Sequence, residues 1–363
     1  MKKINIYTKY FADYGGAERV CFFFAKYLHE NNIDFRIVCG KNKIKQKQDY
    51  EVIETGLARP GRYLKAVSFF KRAGEIALNH KGVNFSFDVI PNTDIFRTGG
   101  GSHKTFEKRS LMGLSGFEKF KKQTQRFFNP INITKPILEK KMISSPRFKK
   151  VISISRLTGR EFQKDMNLPD ELISVVHNGV NKQLFSIENR LKLSVNKPKD
   201  TVVIGFVSSN FKLKGLTELI DSLALLPKNF ILKVAGGRNS SDFEKQAENL
   251  NIRERVYFCG KVSNMPEFYA SLNILCHPTY YDTFANVVSE SLNMGIPVAV
   301  SANAGAAEIV DDECGKVFEE VSPKNIAEAI LHCAKLGYGD YSDRVLDNLD
   351  VFKKYLEIIK GIQ

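Results

Sequence analysis

The sequence predicts an α/β protein made of two domains, and three observations carry that prediction. The chain has 363 residues, which is long for a single hydrophobic core. Two separate series of apolar strand, loop and helix occur, one opening near Lys3 and the other near Val202. Between Leu272 and Pro297 an apolar run, a polar corner and a helical stretch follow one another, the order that places a ligand loop beyond the carboxyl end of a strand. Apolar residues make up 43% and charged residues 26%, as in ordinary globular chains. No apolar run approaches the roughly 18 residues of a membrane span, and the two lysines at the start precede no long apolar segment, so no signal peptide is expected.

In chain order, residues 3–8 read as a first strand, followed by Tyr14-Gly15-Gly16-Ala17-Glu18-Arg19, a helix over 21–28 and a strand over 35–39. Gly15 and Gly16 let backbone amides approach an anion at the helix start. The third glycine of a dinucleotide fingerprint is missing, which argues against an NAD site. Strand-like runs recur at 50–53 and 87–90, and 59–78 has helical periodicity. Gly99-Gly100-Gly101-Ser102-His103 forms a second glycine-rich stretch. Residues 111–142 look helical, with breaks expected at Pro130 and Pro136. Residues 150–156 read as a strand and a helix start that Ser155 can cap, and the polar stretch 188–200 as a loop.

The second series runs through strands at 202–207, 230–237, 256–262 and 298–301 and a helix over 323–336. The loop 208–215 holds Ser208, Lys212 and Lys214-Gly215. This loop follows the strand over 202–207 and leads into a helix. At the corner, Asp282 lies in the loop and Glu290 early in the helix that Phe284, Ala285, Asn286 and Val287 lead into. Two carboxylates and a helix start suit a polyhydroxylated ligand carrying phosphate. The tail, 341–362, has the apolar spacing of a core-facing helix.

Charge and cysteine usage bound the partners. The net charge of +14 concentrates in 104–150, with 13 Lys/Arg against three acids, and in 59–73, with five Lys/Arg and no acid. Both interleave bases with Phe and Leu, the longer one with Ile as well, as helices on an anionic membrane surface do. No nucleic-acid module stands out, so no nucleic acid is expected. The six cysteines are scattered without a Cys-x-x-Cys pair and read as reduced thiols.

The segment from His277-Pro278-Thr279 through Asp282 to Ser289-Glu290-Ser291-Leu292-Asn293-Met294-Gly295-Ile296-Pro297 resembles the signature of family 4 glycosyltransferases, with Asp282 where the family has Glu. Gly15-Gly16-Ala17-Glu18-Arg19, His177-Asn178-Gly179-Val180-Asn181 and Lys214-Gly215 are similar to further segments of that family. The glycine run ending in His103 resembles its lipopolysaccharide-core glucosyltransferases. The resemblance implies the GT-B fold: two Rossmann-like, doubly wound domains facing across a cleft, with the C-terminal helix crossing back to the first. Domains are then expected at 1–169 plus 346–363 and at 170–345. It implies a retaining transfer of a hexose from a nucleotide sugar, most simply UDP-linked, to a lipopolysaccharide or other lipid-linked acceptor, in the cytoplasm at the inner membrane face.

Within that resemblance Glu290 holds the ribose, and Asp282 the sugar hydroxyls, with the amides of Phe284, Ala285, Asn286 and Val287 around sugar and phosphate. Lys214 and the helix behind Gly15 and Gly16 meet the diphosphate, and His103 orients the sugar. Gly236 and Val262 flank the base. Ser208 replaces an expected arginine, a role that Lys212 could take over. No carboxylate is well placed for a double displacement, and no metal or other cofactor is implied. Two alternatives stay open: a soluble glycan synthase of the same fold, and a non-catalytic protein that binds a nucleotide sugar or nucleic acid.

Overall fold

A computed structural model describes residues 2–58, 60–114, 116–193, 200–237 and 239–363. Arg59, where the shorter basic stretch begins, and residues 194–199 of the polar connection lie outside them. The chain forms two compact units, one of Met1–Glu107, Phe120–His177 and Leu349–Gln363 and one of Lys108–Lys119 and Asn178–Asn348.

The first unit holds β1 (Ile4–Phe11), β2 (Phe35–Asn42), β3 (Val52–Glu54), β4 (Val83–Ser86), β5 (Ile95–Arg97), β6 (Lys150–Ser153) and β7 (Ile173–Val175). Its strands pair in parallel in the order β3-β2-β1-β4-β5-β6-β7. β7 adds to this sheet, so the unit runs one strand beyond residue 169. The helix Ala17–Glu30 buries Cys21, Phe24, Ala25 and Leu28, the i, i+3, i+4, i+7 stripe of a core-facing helix. Phe24 meets Phe85 and Tyr355 at 5.5 Å and Phe352 at 5.6 Å. Phe352 and Tyr355 lie on the C-terminal helix Asn348–Gly361, whose residues from Leu349 onward belong to this unit, as the expected crossing-back requires.

Three expectations need correction here. The run 87–90 is not a strand; β4 precedes it. Alternation failed to show β4 because Asn84 and Ser86 are polar yet fully buried. Asn84 satisfies itself by hydrogen bonds with Asn5 and with the Ala77 and Asn92 carbonyls. Pro136 does not break its helix; Pro130–Ile143 runs through it, and only Pro130 marks an end, at the first turn, where its missing N–H costs nothing. The stretch 188–200 opens with a short helix, Ile187–Lys192, capped by Ser186.

The second unit holds β8 (Val202–Val207), β9 (Phe230–Ala235), β10 (Val256–Gly260), β11 (Ile274–His277), β12 (Val298–Ser301) and β13 (Gly315–Phe318), all parallel, in the order β10-β9-β8-β11-β12-β13. Renumbered within the sheet this is 3-2-1-4-5-6, the doubly wound Rossmann order, and its direction reverses between β8 and β11. The core beneath is continuous, from Ile204, Phe206 and Leu216 to Ile326 and Ile330. Among the described residues no helix is long and apolar enough to cross a membrane.

Candidate functional site

The loops that leave β8 and β11 meet at this reversal point, where α/β sheets bind ligands. Backbone bonds tie them: the Tyr280 amide donates to Leu213 O at 3.0 Å, and Thr279 Oγ1 to the same carbonyl at 3.3 Å. Gly215 is required for this approach. Its φ is +75°, and a Cβ on it would lie 2.0 Å from Pro278 O. The following loop joins them, since the Gly305 amide donates to Asp282 O at 2.9 Å and Ala306 to Phe284 O at 2.6 Å.

Lys214 and Asp282 come together at this junction. Lys214 Nζ lies 2.7 Å from Asp282 Oδ2 and 2.8 Å from Tyr281 O. His277, the last residue of β11, donates from Nε2 to the same Oδ2 at 3.1 Å. The Phe284 amide donates to Oδ1 at 3.3 Å. Burial works against a charge on Asp282. The His277 hydrogen bond and the Lys214 ammonium outweigh it and hold the carboxyl well below the usual range. Burial also lowers the His277 pKa, against the pull of Asp282, so the imidazole is neutral and Nε2 carries its proton. Oδ1 keeps room for one more donor, and the Asp282 side chain is 19% exposed.

The helix Asn286–Asn293 starts directly behind Ala285, a non-glycine residue at φ +74° and ψ 76°. Such a conformation costs an L-residue on the order of 1 kcal/mol or more and persists where surrounding contacts impose it. Phe284 and Ala285 are buried, Val287 is half-buried, and Asn286 is exposed and accepts from Asn178 Nδ2 at 2.9 Å. Glu290 sits one turn into the helix and accepts from the fully buried Tyr269 hydroxyl at 2.7 Å.

The other residues singled out in this unit lie on adjoining loops. Ser208 is half-buried, and its Oγ accepts the Asn210 amide at 2.8 Å. Gly236, at φ +95°, approaches Ser208 so closely that a Cβ would stand 2.1 Å from its carbonyl oxygen. Val262 follows β10 and is half-buried. The Lys212 ammonium is held by both oxygens of Glu118 at 2.8 Å. Arg109, from the same 108–119 segment, stacks its guanidinium over the Tyr281 ring at 5.4 Å.

Gly15, Gly16 and His103 belong to the first unit. Gly15 has φ +93°, and Gly16 opens the helix Ala17–Glu30 in exposed surroundings, with space where a Cβ would be. A Cβ on Gly99 would lie 3.0 Å from that of Ala17, so the two glycine loops touch. His103 is 8% exposed and starts the helix His103–Arg109. Its Nε2 pairs with Asn132 Oδ1 at 3.2 Å, its amide donates to Glu139 Oε2 at 3.3 Å, and Phe106 stacks on the ring. Burial, helped by Lys135, pulls its pKa down to about 4, while burial pushes the Glu139 carboxyl up to about 7.

His277, Tyr269 and Arg109 were not assigned roles by sequence reasoning. His277 carried a usable signal, since it closes a strand just before the corner. Tyr269 lies in Met265-Pro266-Glu267-Phe268-Tyr269, a segment that continues the family resemblance but assigns the tyrosine no role. Among the described residues no group of three or more His, Cys, Asp or Glu could hold a metal ion.

Residues 14–184 match the family described as Glycosyltransferase Family 4, and residues 188–340 match Glycosyl transferases group 1. The chain belongs to these glycosyltransferases. It is 30% identical over 169 residues to the lipopolysaccharide glucosyltransferase WaaG of Escherichia coli K12, covering 43% of this chain and 45% of that protein. It is 28% identical over 220 residues to an uncharacterized glycosyltransferase of Methanocaldococcus jannaschii, covering 56% of each. The chain thus spans about half the length of the curated relatives it matches. A crystal structure of WaaG superposes with a TM-score of 0.75 at 19% identity, over 99% of this chain and 100% of that one. HepE of Anabaena, solved in complex with UDP, does so at 0.71 and 17%, over 99% and 100%. The family's fold is therefore the fold of this glycosyltransferase.

Proposed function

We propose that the protein transfers a hexose from a nucleotide sugar to a hydroxyl of a lipopolysaccharide core or another lipid-linked glycan, with retention at the anomeric carbon. The observation that carries the reading is the Lys214–Asp282 pair at the reversal point of the second sheet, beside the start of the helix that bears Glu290. The ammonium meets the charge that grows on the leaving diphosphate. Asp282 divides its carboxylate: Oδ2 holds Lys214, and the remaining lone pair on Oδ1 takes a sugar hydroxyl. Glu290, braced by Tyr269, takes the ribose hydroxyls. The amides from Phe284 to Val287 surround sugar and phosphate, and Gly236 and Val262 flank the base. The buried, neutral His103 supports its loop from within, which favours an indirect part in placing the sugar. The leaving phosphate helps deprotonate the acceptor, and no metal takes part in the scheme.

UDP in the solved HepE complex supports a UDP-linked donor, and the relative named a lipopolysaccharide glucosyltransferase supports the acceptor class. Attachment to an anionic cytoplasmic membrane face fits the longer basic segment. The helix Gly116–Phe127 has no buried residue and exposes Phe117, Phe120 and Phe127 by 65–78% among its bases. The shorter segment fits less well, because the helix Gly61–Asn79 spends Phe69, Phe70 and Ala73 on the core. The test is turnover of UDP-, GDP- and ADP-sugars by the purified protein. Lys214→Ala and Glu290→Ala should each lose most of the rate while the fold survives, and full rate in both variants overturns the reading.

A further inference from the structure

We propose that His277 is a positioning residue for this transfer: through Asp282 it fixes where Lys214 presents its ammonium. The proposal rests on the reading of Lys214 as the cation that meets the diphosphate.

Two donors converge on one oxygen. Lys214 Nζ and His277 Nε2 reach Asp282 Oδ2 at 2.7 and 3.1 Å. Lys214 gives a second hydrogen to Tyr281 O at 2.8 Å, which leaves one of its three N–H bonds for a ligand. The ammonium is thus aimed by two acceptors, and one of them is itself held from behind. His277 is 2% exposed at the end of β11, so it ties Oδ2 of the carboxylate to the sheet, while the Phe284 amide holds Oδ1. Without that anchor Asp282 could follow Lys214 outward as a diphosphate draws it, and the aim would be lost.

The imidazole is poorly suited to a purely structural part. Its Nδ1 is buried and has no hydrogen-bond partner among the described residues. An orphaned buried polar atom costs about 1–3 kcal/mol, whereas an apolar side chain of similar size would carry no such cost. What the ring supplies in return is one N–H at Asp282. It supplies it without charge, so it does not compete with Lys214 for the carboxylate. Around Asp282 stand the charged Lys214, from the loop after β8, and the neutral imidazole of His277, from β11. Arg109 lies over the neighbouring Tyr281 ring, and Glu218 is engaged by the Tyr280 hydroxyl at 2.6 Å.

The test compares His277→Leu, which keeps volume and removes the N–H, with His277→Gln, which offers an N–H at similar reach. Both are made in the full chain and assayed by turnover of the donor sugar that the wild type accepts. His277→Leu should lower kcat about tenfold or more with KM changed less than about threefold, and its Tm should stay within about 3 °C of wild type. His277→Gln should recover most of the loss. The acid limb of the His277→Leu rate profile should also move to higher pH, because Asp282 loses a hydrogen bond that keeps it ionised. Wild-type kcat in a folded His277→Leu protein overturns the proposal. So does an equal loss in both variants that tracks a fall in Tm, which marks a structural histidine. If His277→Leu does not fold, His277→Phe takes its place with the same expectations. Full turnover in Lys214→Ala instead removes the reading of the lysine on which the proposal stands.

Discussion

Lys214 and Asp282 are 68 residues apart in sequence, yet their side chains close to 2.7 Å where the loops after β8 and β11 meet. Asp282→Asn keeps the shape of the side chain and removes its charge, so Lys214 loses its ionic anchor. Turnover should fall about 10²-fold, near the cost of losing one preorganised electrostatic contact. The sign of the pH effect follows from the lowered Asp282 pKa: its stabilising pairing is complete above the ordinary carboxyl value of about 4 and fades only as pH falls toward the lower folded value. Protonation of Asp282 should therefore cost no activity at pH 5, which a wild-type rate profile checks.

Tyr269 is wholly buried, and its hydroxyl reaches Glu290 at 2.7 Å. Tyr269→Phe removes one donor without opening a cavity. The stability cost should be about 1 kcal/mol, as for one hydrogen bond to a charged or polar partner. If Glu290 binds ribose, KM for the donor should rise about fivefold with kcat little changed, the pattern of lost uniform binding. Steady-state kinetics with the donor sugar decides between these outcomes and no effect.

Ala285 holds φ +74° at the start of the site helix. Glycine adopts that conformation without the Cβ clash, so Ala285→Gly should raise Tm by a few degrees, about 1 kcal/mol less the entropy glycine adds to the unfolded chain. Ala285→Val should lower it by more. Thermal melts of the three proteins check the order Gly above Ala above Val.

His103 and Glu139 are in contact and oppose each other in their pH dependence. His103 is held down at about 4, so the stability it contributes is full above its unfolded value of about 6.5 and is lost as pH falls toward 4. Glu139 is pushed up to about 7, so its contribution is full below its unfolded value of about 4.3 and is lost as pH rises toward 7. Each window is worth up to about 3 kcal/mol, and the two nearly cancel between pH 4 and 7. Wild-type stability should therefore be flat across that range. His103→Asn should unmask a decline with rising pH, and Glu139→Gln a rise, both read from denaturation midpoints at several pH values.

Phe117, Phe120 and Phe127 stand exposed on a helix that packs into no core. Replacing all three with Ser should leave Tm within about 2 °C, because they bury nothing. It should abolish sedimentation with vesicles containing anionic lipid. Wild-type binding should weaken as salt rises, since surface charge attraction is screened over about 10 Å at 0.1 M. Salt-independent binding, or none at low salt, counts against the membrane face.

Much of the second unit was legible in the sequence. β8, β11 and most of β12 are apolar runs, its helix Pro323–Leu336 has a cap and a periodic stripe, and the corner that carries Asp282 and Glu290 is contiguous, whereas β13, with Gly315 and Lys316, was not read as a strand. The first unit was harder to read. β4 hides behind the buried polar residues Asn84 and Ser86, and β5 has only three residues next to a glycine run. His103 could be picked out by its neighbours, but its burial could not.

Local pattern was enough to indicate two α/β units, a core-facing helix at the chain's end and a loop carrying Lys214, while the return of that helix to the first unit came from the family resemblance. Which side chains share an oxygen atom was decided by strand order. β8 and β11 are neighbours because the second sheet runs 3-2-1-4-5-6, and that adjacency brings His277, Asp282 and Lys214 to one point. Propensity and periodicity act over a few residues, whereas ion pairing and desolvation depend on what the chain brings alongside from far away. The lowered pKa of Asp282, the tautomer of His277 and the lowered pKa of His103 therefore exist only in the folded protein.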